Sequence, residues 1–197
     1  MGKNKLIDFS LKSDKLLTQE LKTKGIKSWV KFLDFVRDLP YGRTSNRTNL
    51  ITVLKENKGT CSSKHALIKS VADENEIPNV KLILCMYKMT PKNTNGIGDE
   101  IVEKKLSYIP EAHCYVKISN ENYDFTNQAS DLERLKDDIL EEVEIAPHQV
   151  GEFKVVFHKD YIKRWLREQR LNQEFEEIWK IRERCIQNLS NINNDSR

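Results

Sequence analysis

A chain of 197 residues, 38% hydrophobic and 32% charged, has the make-up of one globular domain with room for an added helical arm. Its net charge of +3 is too mild for a concentrated basic face, so nucleic acid is not an expected partner. No apolar run approaches the roughly 18 residues of a membrane helix or the core of a signal peptide; no membrane association is expected. Gly2 lacks the hydroxyl residue that a myristoylation signal needs, Leu6 standing in its place. A cytoplasmic location follows, with Cys61, Cys85, Cys114 and Cys185 as reduced thiols.

In chain order, residues 13–39 read as helical. Ser13 is a candidate cap, Gly25 interrupts the pattern, and a second helix after Ser28 puts Trp29, Phe32, Leu33 and Val36 on one stripe. Pro40 and Gly42 end it. A loop and a short helix then run to Gly59, and a further helix spans Cys61 to about Asn75. The period next changes to two. Residues 79–89 read as a buried strand, "TPKNTNGIGDE" as a loop, and 111–119 with 122–126 as a hairpin. Residues 131–142 read as a charged short helix and 151–158 as a strand.

The rest reads as one long helix, with Ile162, Trp165, Phe175, Ile178, Trp179, Cys185 and Leu189 at helical spacing and a disordered "SNINNDSR" behind it. At 1.5 Å per residue such a rod extends about 45 Å, which leaves part of its stripe for a second subunit of a homo-oligomer. The layout predicted is α+β, with helices packed on an antiparallel β-sheet, divided into a domain over 1–160 and a C-terminal helix over 161–197.

The stretch "GTCSSKHAL" carries the chemistry. A cysteine at the first turn of a helix meets exposed N–H groups and the positive end of the macrodipole, which favour a thiolate. Cys61, His65, Ile68 and Ala72 share one helical stripe, so Cys61 points with the core face. His113 near the start of a strand and Asp124 on the paired strand complete a set: thiolate, base, and a group that orients the base.

The run "KGTCSSKHALIKSVADENEIP", then "AHCY", then "YDFT" resembles the transglutaminase-like superfamily of papain-type fold, over about Phe35 to Thr126. The resemblance implies a papain/transglutaminase-like cysteine enzyme acting on a peptide or other amide-bearing substrate. It makes Cys61 the nucleophile, His113 the general base and acid, and Asp124 the orienting carboxylate, with no cofactor and no metal. Tyr115 and His65 are assigned to the substrate pocket. Hydrolysis, deamidation and acyl transfer all remain open. So does an inactive binding module of the same fold that holds protein partners with its last helix.

One departure from the family is the short spacing of eleven residues from His113 to Asp124. With Asn120–Glu121 as the turn, Lys117 faces Asp124 and the carboxylate lies about 13 Å along from His113. With Ser119–Asn120 as the turn, Tyr115 faces Asp124 and the His–Asp pair becomes a diagonal neighbour at about 7–8 Å. Only the second register makes a triad. His65, one helical turn from Cys61, is the competing base. A zinc set from Cys61, His65, Cys85, His113 and Cys114 lacks the C-x-x-C spacing of such sites.

Overall fold

The computed structural model describes residues 6–195, with side chains through Leu189; the Gly2 reading falls outside them. The fold is α+β, with a four-stranded antiparallel sheet in the order β3-β2-β1-β4. Its strands are β1 (Val80–Met89), β2 (Ile109–Ile118), β3 (Glu121–Tyr123) and β4 (Ile139–Ile145). The chain forms two compact units. Among the described residues, one comprises those up to Leu84 with Cys114–Leu132 and Val143–Gly151; the other comprises Cys85–His113, Glu133–Glu142 and those from Glu152 onward.

The first unit holds helices α1 (Leu16–Thr23), α2 (Trp29–Asp38), α3 (Ile51–Glu56) and α4 (Cys61–Glu74). All three earlier helices pack on α4, as does a 3-10 turn at Pro147–Val150. α1 ends because Gly25 takes φ 76° and lets Gly25 N–H and Ile26 N–H close back on Lys22 O and Leu21 O, both at 3.0 Å. Lys15, not Ser13, holds the cap position of α1 and has no side-chain capping bond; Ser13 lies two residues ahead of it. Its hydroxyl accepts from Lys15 N–H at 3.2 Å, while Glu74 at the end of α4 takes Thr18 N–H at 2.8 Å and Leu17 N–H at 3.3 Å. The predicted stripe of α2, Trp29, Phe32, Leu33 and Val36, is buried.

The hairpin turns at Ser119 and Asn120, whose φ values of 50° and 71° are the left-handed pair that a two-residue turn between twisted strands requires. The register is Val116↔Tyr123, Lys117↔Asn122 and Ile118↔Glu121. The paired strand is shorter than the 122–126 expected.

The second unit holds α5 (Glu100–Glu103), α6 (Glu152–Glu168) and α7 (Phe175–Asp195). Its core joins Tyr87, Met89, Ile109, Ile162, Trp165, Ile178 and Cys185. Four expectations are corrected here. Residues 151–158 are not a strand: Gly151 is a turn and 152–158 form the first two turns of α6; the β-branched and aromatic run "FKVVF" has strand propensity, yet Phe153 and Val156 are exposed while His158, Ile162 and Trp165 are buried at helical spacing. The C-terminal segment is two helices, not one. Arg170 adopts φ 51°, and Leu171 N–H reaches back to Leu166 O at 3.1 Å. The stripe meant for a second subunit is largely spent in this unit's own core, so the rod that argued for a homo-oligomer is absent.

Residues 131–142 are a 3-10 turn (Leu132–Asp138) leading into the strand β4. β4 lies at the sheet edge, where glutamates on a half-exposed strand are ordinary. Finally, α7 runs on to Asp195 over most of the tail read as disordered; residues 196–197 of that reading lie outside the described residues. Among the described residues no helix is long and apolar enough to cross a membrane.

Candidate active site

The site is built on the start of α4. Thr60 is extended and accepts from Ser63 N–H, while Ser63 Oγ accepts from Thr60 N–H at 3.0 Å, a reciprocal cap that begins the helix at Cys61. Gly59 has a steric reason. A Cβ there would lie 2.9 Å from Lys64 Cγ and 3.0 Å from Ser63 Oγ. The extended Gly59 also bridges Tyr41, donating to Pro40 O at 3.0 Å. Cys61 is 7% exposed, and its sulfur lies 3.8 Å from Ser62 Oγ. Cys85, Cys114 and Cys185 are fully buried, and burial pushes the Cys185 thiol up to about 11.

α4 is buried on nearly every side, beyond the single stripe that its sequence suggested, and four of its buried residues are polar: Ser62, Ser63, Lys64 and His65. His65 is fully buried. Its Nε2 accepts from Phe125 N–H at 2.7 Å, so the ring proton sits on Nδ1, which donates to Cys61 O at 2.7 Å. That is a neutral imidazole with its basic lone pair already engaged. His65 is therefore poorly placed to act as a base toward Cys61, and as a fully buried ring it supports the site from beneath. Tyr115 is fully buried too.

Lys64 is the residue that sequence reasoning missed. Its side chain is fully buried, and Nζ donates to Leu39 O at 2.5 Å, Thr126 O at 2.6 Å and Arg37 O at 3.4 Å. Desolvation brings its pKa down to about 8, opposed by the charges of Asp124, Asp38 and Cys61. A signal was available: Lys64 precedes Leu67, Ile68 and Val71 on an apolar stripe, where a lysine needs an explanation.

Asp124 follows β3. Continuing the hairpin register one step sets it opposite Tyr115, as the triad register requires. Its Oδ1 accepts from Thr126 N–H at 2.9 Å and from Thr126 Oγ1–H at 2.5 Å, and lies 3.6 Å from His65 Nε2. The structure thus brings Cys61, Lys64, His65 and Asp124 together within the first unit.

His113 belongs to the second unit, partly buried on β2. The ring of Tyr87 meets it edge-on, with centroids 6.4 Å apart and planes at 84°. Tyr87 Oη in turn shares a hydrogen bond with Thr94 Oγ1 at 3.2 Å, which ties the ring to the 90–98 loop.

Among the described residues no group of three His, Cys, Asp or Glu side chains could hold a metal ion. The chain matches no protein-family model, no curated protein and no solved structure.

Proposed function

We propose that the chain is a transglutaminase-like cysteine enzyme that cleaves or transfers an amide acyl group. The observation that carries this reading is the position of Cys61, the first residue of a capped helix and the one thiol here that is not fully buried. The hairpin turn at Ser119–Asn120 supports it, being the register under which a triad can form.

In this mechanism His113 takes the Cys61 proton, and the thiolate attacks the carbonyl carbon of the amide. The backbone N–H of Cys61 is one donor to the oxyanion that forms. Collapse breaks the C–N bond, and His113 gives its proton to the departing amine, leaving a thioester. Water then attacks, its proton passing to His113, and the acid is released with the thiol restored. An amine in place of water makes the same step a transfer. Asp124 keeps the imidazole in the tautomer that both proton movements need.

The test is alkylation by iodoacetamide across pH, with the modified residue identified by mass spectrometry. Cys61 alone is expected to react rapidly well below pH 8. Uniformly slow labelling, or labelling first at another cysteine, rejects the enzyme and leaves the inactive binding module as the better account.

A further inference from the structure

We infer that Lys64 and His65 are positioning residues that fix the carboxylate of Asp124 relative to Cys61. The inference rests on the triad reading above. The motif itself, a nucleophile followed by two buried polar residues at the third and fourth positions, contains the device.

Three consecutive residues are held. Asp124 binds the N–H and hydroxyl of Thr126, Phe125 N–H is taken by His65 Nε2, and Thr126 O is taken by Lys64 Nζ. Both holding side chains sit on the first two turns of α4, and His65 is also fastened to the carbonyl of Cys61 itself. The segment that carries the acid is therefore latched to the helix that carries the thiol, through bonds of 2.5–2.9 Å.

The choice of an ammonium has a reason. Three carbonyls converge on one point, two of them from the C-terminal end of α2 (Arg37 O and Leu39 O) and the third from Thr126. Only a lysine head supplies three donors from a single atom, and a cation suits the negative end of a helix dipole. Burying it is unfavourable, as its lowered pKa records. A merely structural latch could be made of neutral groups. An ammonium here also sets a positive charge beside the Asp124 carboxylate, the charged group that is to orient an imidazole.

A double-mutant cycle on the full chain tests this, read as the rate of Cys61 alkylation by iodoacetamide at pH 7. Lys64→Met and Asp124→Asn are each expected to slow labelling about tenfold, the equivalent of one pKa unit in the thiol. If Lys64 acts through Asp124, the double variant is no slower than the slower single variant. Multiplicative slowing, or an unchanged rate in folded Lys64→Met, overturns the inference while leaving the triad standing. A wild-type Cys61 that labels slowly overturns both. Should Lys64→Met fail to fold, His65→Gln and His65→Leu decide the matter. Gln keeps an acceptor for Phe125 N–H and Leu does not, so Gln is expected to label about fivefold faster. Equal rates for the two overturn the latch.

Discussion

The two units bury charge in opposite ways. In the first, the Lys64 ammonium is held by three backbone carbonyls. In the second, the Glu111 carboxylate is clasped by Arg182 through two hydrogen bonds of 2.6 Å, with His158 Nε2 at 3.9 Å and donating to Pro110 O. Burial raises the pKa of Glu111, but the Arg182 charge beside it more than compensates, helped by His158, and holds the carboxyl down to about 2. A carbonyl-held ammonium that titrates near 8 stays adjustable in neutral solution, whereas a bidentate ion pair does not. The first arrangement suits the neighbourhood of a reactive group, and the second suits a scaffold.

The largest effect separates chemistry from scaffold. Cys61→Ala should abolish rapid thiol labelling and any amidase or transferase turnover while the circular dichroism spectrum is retained, since alanine is well tolerated at a helix start. Turnover that survives would remove the site from the first unit.

Next in size, Arg182→Met strands a buried carboxylate and should cost about 3–5 kcal/mol in urea unfolding at pH 7. The double variant with Glu111→Gln should recover much of it. A loss under about 1 kcal/mol would erase the contrast between the units.

The pH limbs come third, and their signs agree. The Glu111 pKa of about 2 lies below its ordinary 4.5, so its contribution is complete above 4.5 and is lost as pH falls towards 2, about 3 kcal/mol in all. The Lys64 pKa of about 8 lies below its ordinary 10.5, so between those values the unfolded chain holds the extra proton and stability rises with pH. Unfolding midpoints across pH should show the acid limb vanish in the Glu111→Gln, Arg182→Met double variant and the alkaline slope vanish in Lys64→Met.

Smaller again, His65→Ala removes the acceptor of Phe125 N–H and should cost about 1–3 kcal/mol. His113→Ala should act mainly on the labelling rate of Cys61. A reversal of those two outcomes would exchange their roles. The smallest change is Arg170→Gly, which removes a side chain from a left-handed residue and should stabilise the second unit by about 1 kcal/mol.

Much of the first unit was legible because its signals are local. A glycine and hydroxyl residues announce the start of α4, the pattern 29–32–33–36 gives the face of α2, and Ser-Asn between alternating residues marks the hairpin turn. The second unit hides its punctuation. α6 stops at a left-handed arginine where glycine or asparagine would be the cue, and β4 is written in glutamates that read as helix. Lys64 was missed because its meaning lies in three carbonyls that only the tertiary fold brings together.

The cap that Glu74 lends to α1 bears on the order in which the chain assembles. A helix of eight residues has no stability of its own in water, and the N–H groups at the start of α1 are met by a carboxylate 56 and 57 positions later in the chain. α1 can therefore persist only after α4 has formed to its last turn and the loop between them has closed. In a refolding experiment the amides of Leu17 and Thr18 should gain protection from exchange after those in the middle of α4. The segment that leads in sequence is in this respect a late arrival, with its timing set by a single side chain at the far end of the helix that carries Cys61.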